Sequence, residues 1–320
     1  MDIVLYALTA LLYGGLATAA WRGYRAGEGR GHTLRGAHGV ANAQVSLLGE
    51  HRMLSGMPGS SAAPALAATS GMTTRALLFV ALVSHGVLLH ATIFPRDAMV
   101  FGFAFALSAM FWLGSCIYWL ESFFLPLDGL RLLVLPLACV ASLMPLAFNG
   151  VHVLPYAAAP LFKLHFIIAN IAYGLFVIAA LHAVLMLFAE RRLYALRGAL
   201  ERPSSAGWFA NWLDTLPPLL TLEKLLFRMI GAGFALLTLT LLSGVLFSEQ
   251  LTDRALTLDH KTVFSILSWL MFGALLTARQ ISGWRGRAAL RWVLASFVAL
   301  LLAYVGSRFV FEVLLHRPIV

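Results

Sequence analysis

The sequence predicts an all-α protein, a polytopic membrane bundle of about eight transmembrane helices with both termini on the outer side. Of its 320 residues, 60% are hydrophobic and only 12% are charged, a balance outside the range of ordinary soluble domains. Apolar runs of about 20 residues, the length that crosses a bilayer, recur along almost the whole chain. Basic residues are concentrated in alternate connecting segments, as expected for cytoplasmic loops.

The predicted spans follow one another with short connections. The first begins near the amino terminus but lacks a basic leading segment, and WRGYR follows where a signal peptide would have small residues for cleavage. We therefore expect residues 1–21 to be a retained first transmembrane helix. The predicted spans lie near residues 3–20, 76–94, 98–120, 130–148, 163–188, 225–248, 262–279 and 288–306.

The distribution of Lys and Arg predicts the orientation. Basic residues fill three of the connections, and with eight spans all three lie on one side, which is therefore cytoplasmic. The connections near 95–97, 149–162 and 249–261 then face outward, and Glu121 falls in a weakly charged inner loop. The formal net charge of +9 is explained by this topology and by attraction to anionic lipid, so no nucleic-acid partner is predicted. The basic residues of the three loops are Arg22, Arg25, Arg30, Arg35, Arg52, Arg75, Arg191, Arg192, Arg197, Arg202, Lys224, Arg279, Arg285, Arg287 and Arg291.

Two connections have distinctive compositions. Residues 22–75 are rich in Gly, Ser, Ala and Pro, and such a segment buries too little surface to offset its ordering entropy. We expect a mostly disordered cytoplasmic loop there, with a short helix near 40–54. The stretch 203–224 carries several aromatic residues beside a basic boundary, which favours an interfacial helix before Pro217 and Pro218.

Several kinds of chemistry are disfavoured by the motifs that the chain lacks. Its two cysteines, Cys116 and Cys139, both fall in predicted spans, and there is no CxxC, CxxCH or paired zinc spacing. Thiol redox chemistry, covalent haem attachment and a structural zinc site are therefore not expected. No glycine-rich phosphate loop, Ser-His-Asp set or paired-carboxylate site occurs either, so no hydrolase function is predicted.

The histidines near the predicted spans are the candidate functional residues. A histidine within the hydrocarbon layer is costly and usually faces the interior of a bundle. Neutral imidazole is a good axial ligand for haem iron, and the apolar face of haem suits a crevice between helices. Five histidines lie in or beside outward or central parts of the spans: His85, His90, His152, His165 and His260.

The positions of these histidines differ in what they allow. His85 lies in the middle of a span, where ligation and a hydrogen bond to a neighbouring helix both remain open. His90 is about 140° further round that helix, so the two cannot share a pocket. His165 lies near the outer end of the fifth span, with Asn170 and Tyr173 continuing along that helix.

Three histidines remain to be interpreted. His182 lies about 25 Å from His165 along the same helix, so it cannot bind the same ion and is interpreted as a packing residue. His260 stands at the start of the seventh span. By position it is an exposed residue of the first helical turn, with Asp259 as a capping residue. His152 lies in an outward loop and is exposed by position.

Beyond these physical arguments, an ordered series of motifs carries a resemblance. PPLLTLEK, SGVLF, HKTVFSILSW and GWRGR occur in this order over about residues 76–310. The chain resembles the cytochrome c assembly family of membrane proteins (CcsA/CcmC-like), most strongly its HemX/YpjD branch. The resemblance implies a multi-pass protein of the bacterial inner membrane that binds haem b non-covalently, with His85, His165 and His260 as cofactor-binding residues.

The resemblance also implies a site geometry and partners. His165 and His260 would be the axial ligands of the haem iron at the outer rim, with His90, Tyr173 and His152 as weaker candidates. Membrane lipid, other cytochrome c maturation proteins and apocytochrome c are the implied partners. Haem-presenting members have a tryptophan-rich external segment ending in WDPKE, where this chain has SEQLTDRALTLDHKT. A haem-lyase activity is therefore not predicted.

The resulting hypothesis is a haem-handling protein of cytochrome c biogenesis. The alternative is a regulatory or scaffolding membrane protein linked to haem biosynthesis that does not deliver haem. A secondary transporter ranks last, because no acidic residue is predicted in a helix core. The predicted organisation is a first helix at 1–21, a loop at 22–75, a membrane domain at 76–310 and an external tail at 311–320.

Overall fold

The protein is a helical membrane bundle. A computed structural model describes residues 2–45, 62–93, 99–148, 152–154, 160–198, 212, 216–252 and 260–306. The helices are α1 (Asp2–Val45), α2 (Ala62–Ile93), α3 (Phe103–Glu121), α4 (Asp128–Ala147), α5 (Pro160–Gly198), α6 (Leu219–Thr252), α7 (His260–Ser282) and α8 (Arg287–Leu301). The strands are β1 (Met99–Phe101) and β2 (His152–Leu154), and a π-helical turn, Leu302–Gly306, follows α8.

The helices have the length and composition of membrane spans. Each of α1 to α7 contains an apolar stretch long enough to cross a bilayer. With its π-helical turn, α8 continues to Gly306, which gives a total length of about 30 Å at 1.5 Å per residue. The predicted all-α, multi-pass class is confirmed.

The structure differs from the predicted loop at residues 22–75. The first helix continues to Val45 and the second begins at Ala62, so parts of this segment are helical. Extending an existing helix requires no new nucleation, and the Ala and Arg residues of the segment favour it. Residues 46–61 lie outside the described part of the chain, as does most of the predicted interfacial helix at 203–224. After Pro217 and Pro218, α6 starts at Leu219.

The fifth helix is at the centre of the bundle. It packs against α3, α4, α6 and α8, whereas α1 and α2 pack on the far side of α3 and α4. Its approach to α3 is close, because a Cβ added at Gly174 would stand 2.8 Å from the Cβ of Leu113 and 3.3 Å from the backbone N of Gly114. Small residues at such a crossing allow two helix backbones to meet.

Two outward connections are joined by a short β-ribbon. Strands β1 and β2 pair antiparallel, with Phe101 opposite His152. The ribbon links the segment between α2 and α3 to the segment between α4 and α5. His152 thus lies in a paired strand, where a loop was predicted.

Candidate functional site

The site begins with His165, near the outer end of α5. Its side chain is half-buried and faces α6, where its Nδ1 lies 2.8 Å from the hydroxyl oxygen of Ser243. The next residue of α6 is Gly244, and a Cβ added there would stand 3.5 Å from Cε1 of the His165 ring. Ser243 and Gly244 therefore form the surface against which this imidazole lies.

The Ser243 hydroxyl has two neighbours, Nδ1 of His165 and, 3.1 Å away, the carbonyl oxygen of Thr240. When its hydrogen goes to the carbonyl, its oxygen accepts from Nδ1 of the histidine. In that tautomer the lone pair of the neutral ring is on Nε2, the nitrogen that would ligate a metal. Such a bond to the opposite nitrogen orients many metal-binding histidines.

His85 has a different environment. It is fully buried in α2, with Nδ1 3.3 Å from the Tyr13 hydroxyl and Nε2 2.9 Å from the Ser108 hydroxyl. Both ring nitrogens are therefore engaged, one with α1 and one with α3. Of the two interpretations open from the sequence, the hydrogen-bonded one describes this arrangement, and a metal could bind only after one of the bonds is broken.

His260 lies on the outer side, as the first residue of α7, and its side chain is exposed. The charge of its neighbour Lys261 acts on the His165 ring, so the start of α7 and the outer end of α5 lie in the same region. Deeper in the bundle, Phe176 of α5 stacks on Phe272 of α7 with ring centroids 4.1 Å apart. The two helices that carry the predicted axial pair are thus in side-chain contact. Asp259 lies outside the described residues.

The weaker candidates are dispersed. His90 is exposed on α2, among the apolar residues of a groove between α2 and α3. Tyr173 is directed towards α8, where its hydroxyl donates to the carbonyl of Leu300 at 3.2 Å. The Asn170 amide donates to the carbonyl of Phe166 in its own helix, at 2.7 Å. Neither Asn170 nor Tyr173 shares a described hydrogen bond with His165, and only the backbone of His152 is described.

At the inner end, an ion-pair cluster joins three helix ends. The carboxylate of Glu223 on α6 lies 2.5 Å from Arg279 on α7 and 3.7 Å from Arg285 in the connection to α8. The Arg279 guanidinium also lies over the Phe227 ring, 3.6 Å from its centroid. These residues come from PPLLTLEK, the end of α7 and GWRGR, so contacts between the ends of α6 and α7 unite motifs that are distant in sequence.

With this architecture established, the comparison with known proteins is decisive. Residues 71–315 match the family described as cytochrome C assembly protein. The chain belongs to the cytochrome c assembly family. The match covers α2 to α8 and leaves out α1, in agreement with the range of the ordered motifs.

Individual relatives agree with the family. The chain is 35% identical over 152 residues to an uncharacterised 28.8 kDa protein of Azospirillum brasilense, which covers 48% of this chain and 52% of that protein. It is 30% identical over 182 residues to the inner membrane protein YpjD of Escherichia coli K12, covering 56% of this chain and 64% of YpjD. Each match thus spans less than two-thirds of the relative.

A more limited match reaches the CcsA group. The cytochrome c biogenesis protein CcsA of Gloeobacter violaceus is 33% identical over 89 residues, or 28% of this chain and 26% of CcsA. No solved structure matches the chain. Its apolar helices and its inner-membrane relative identify this family member as a multi-pass protein of the bacterial inner membrane.

Two residues of the site were not recognised as site residues from the sequence. Ser243 and Gly244 are the first residues of SGVLF, a motif that entered only as part of the family resemblance. The motif was the available signal, since it places a hydroxyl and a glycine side by side on one helix. A second correction concerns Glu121, expected in a loop: it is the last residue of α3, and its side chain is only 11% exposed.

Proposed function

We propose that this family member binds haem b non-covalently at its outer rim and handles it in cytochrome c biogenesis. The observation that supports this most is the contact of His165 with Ser243: with Nδ1 as the donor to this hydroxyl oxygen, Nε2 has the lone pair that haem iron requires. Family membership supports the same assignment, because a cytochrome c assembly protein operates on a haem protein.

The side chains around His165 and His260 include the donors and the small neighbours that haem would require. His165 on α5 and His260, exposed at the start of α7, would hold the iron. Bound haem would supply an iron centre that imidazole nitrogens can ligate. Ser243 would orient the first ligand, and Gly244 would keep the surface beside the ring small. His85 is assigned to a structural bond rather than to haem.

The partners in this proposal are those of cytochrome c maturation, either other assembly proteins or apocytochrome c on the outer side. The chain would hold haem for such a partner, and it is not proposed to form the covalent bond itself. In the alternative proposal, a regulatory or scaffolding role, the histidines would be structural and the purified protein would contain no haem.

The test is an optical spectrum of the full-length protein purified in detergent from haem-replete cells. We expect a Soret band that is lost in His165→Ala, reduced in His260→Ala and restored in His165→Ala by added imidazole. The matched control is His90→Ala, which removes an exposed histidine of α2 and should leave the band unchanged. No Soret band in the wild type, or a band unaffected by both His165→Ala and His260→Ala, would overturn the proposal.

A further inference from the structure

A buried acid and a buried histidine face each other at the inner end of the contact between α3 and α5. Glu121 Oε2 lies 3.9 Å from Nε2 of His182, whose side chain is fully buried. Neither of these two atoms has a hydrogen-bond partner among the described residues. Polar atoms buried without partners are destabilising, so two of them opposite one another require an explanation.

The hydrogen bonding of His182 indicates how many protons the pair of side chains requires. Nδ1 of His182 lies 2.9 Å from the carbonyl oxygen of Ile178, one turn earlier in α5. A carbonyl only accepts, so Nδ1 carries a proton, and the lone pair of the neutral ring is on Nε2. If Glu121 were ionised, two acceptors would face each other beside a buried negative charge. A single proton between them removes both the repulsion and the net charge.

We propose that Glu121 and His182 form a proton-binding site that holds one shared proton between α3 and α5. The proton is either on the carboxyl or on Nε2. The two atoms lie 3.9 Å apart, so the proton acts by neutralising the pair, and a hydrogen bond between them would require the side chains to move about 1 Å closer. In both cases the pair is neutral. Release of the proton to water leaves one negative charge on the pair. Glu121 is the point of exchange, because its side chain is 11% exposed and that of His182 is not exposed.

No other charged group among the described residues takes the place of the proton by pairing with the Glu121 carboxylate. Among the described residues, Glu121 forms no ion pair with an arginine or lysine. On α2, Arg75 donates to the backbone carbonyl of Ser122 at 2.6 Å. On α4, Arg131 pairs with Asp128 at 3.8 Å. The titratable or charged groups that the packed elements bring to this end include Tyr24 (α1), Arg75 (α2), Tyr118 (α3), Asp128 and Arg131 (α4), Glu190, Arg191 and Arg192 (α5), Glu223 and Lys224 (α6), Arg279 (α7), Arg285 in the connection that follows it, and Arg287 and Arg291 (α8).

The site is part of the close contact between α3 and α5. Glu121 is two turns from Gly114 in α3, and His182 is about two turns from Gly174 in α5, so each residue shares a helix face with its glycine. The two glycines set the distance between the helix backbones. Steric contact at the two glycines fixes the middle of the interface between α3 and α5, and the shared proton stabilises its inner part. Release of the proton should therefore weaken the packing of α3 against α5.

The experiment is the pH dependence of unfolding of the full-length protein in mixed micelles, measured above about pH 7.5. Above that value an unfolded His, whose pKa is about 6.5, and an unfolded Glu retain almost no protons, whereas the folded pair retains one. The folded state then binds one more proton, so raising the pH favours unfolding. We expect the folding equilibrium constant of the wild type to fall by up to tenfold per pH unit until the pair is deprotonated.

The variants isolate this proton from other titrating groups. In Glu121→Gln the amide places a hydrogen-bond donor beside Nε2 and has no titratable proton, so the slope above about pH 7.5 should be lower by one proton per molecule. Glu121→Gln/His182→Gln places two amides in contact and should show the same lower slope if the single variant does not fold. The matched control is Glu190→Gln, which changes an acid paired with Arg287 at 3.4 Å and should retain the wild-type slope. Equal slopes in the wild type and the foldable Glu121 variant would overturn the proposal.

Discussion

Alanine at Gly174 should weaken the contact between α3 and α5 because the structure leaves no space for a methyl group there. The added Cβ would stand 2.8 Å from the Cβ of Leu113 and 3.3 Å from two backbone atoms, the N of Gly114 and the C of Leu113. Carbon atoms normally meet at about 3.5–4.0 Å, so the helices must separate by up to about 1 Å. The obstacle is largely backbone, which cannot rotate away as a side chain can.

The magnitude follows from two opposing effects. Overpacking of a tight core costs about 1–3 kcal/mol. Replacing a helical Gly with Ala is favourable by up to about 1 kcal/mol, because the unfolded Gly backbone has more freedom to lose. We therefore expect Gly174→Ala to lower the free energy of unfolding by about 1–2 kcal/mol.

The same substitution elsewhere in the bundle provides the control. Gly231 lies within α6, and a Cβ added there meets no atom within 4 Å. Gly231→Ala should therefore raise the free energy of unfolding by up to about 1 kcal/mol. Both variants are measured by chemical unfolding in mixed micelles, with helix content followed by circular dichroism. The steric argument is refuted if the two variants change stability in the same direction by the same amount.

Two more substitutions test contacts on opposite sides of the bundle. His85→Ala should lower the free energy of unfolding by about 1–3 kcal/mol, because it leaves the buried hydroxyl of Ser108 without its histidine partner, and it should leave any Soret band unchanged. Thermal unfolding and an optical spectrum measure the two effects. A lost band with unchanged stability contradicts the structural assignment. Glu223→Gln should lower the free energy of unfolding more than Arg285→Ala does. For Arg285→Ala we expect a loss of less than about 1 kcal/mol, because the Arg285 side chain is 62% exposed. Chemical unfolding of both variants at low salt checks this order, and the reverse order contradicts it.

The helices could be predicted from the sequence because the bilayer imposes a simple requirement. A span must be apolar over about 20 residues, and that property can be measured without knowing what the span contacts. The end of the first helix was harder to place, because helix can continue beyond the membrane wherever the local sequence permits it. Residues up to Val45 are helical for this local reason, which hydropathy does not measure.

The site could be predicted only in part. His165 and His85 were recognised because a histidine in a span is costly, but their hydrogen-bond partners depend on how α5, α2 and their neighbours are rotated. That rotation brings Ser243 to the first and places hydroxyls of Tyr13 and Ser108 at both nitrogens of the second. Spacing along one helix could not reveal partners on another.

Glu121 shows the same limitation in a different form. Its position at the boundary of a span fits a solvated acid as well as a buried one, and the prediction of a loop residue was reasonable on composition. The structure places it opposite His182 because α3 and α5 approach closely at Gly114 and Gly174. Because the Glu121 side chain is an acid buried at the end of a span, a transporter is less strongly disfavoured than the sequence indicated.

The central helix carries two histidines whose Nδ1 atoms each lie against an oxygen atom. Nδ1 of His182 donates to a carbonyl, and Nδ1 of His165 lies 2.8 Å from the hydroxyl oxygen of Ser243. Nε2 of His182 faces the carboxyl group of Glu121, whereas in our proposal Nε2 of His165 holds the haem iron. The residues are about 25 Å apart along α5, so neither can contact the other's ligand. A substitution that abolishes haem binding at one end should therefore leave the proton count at the other unchanged.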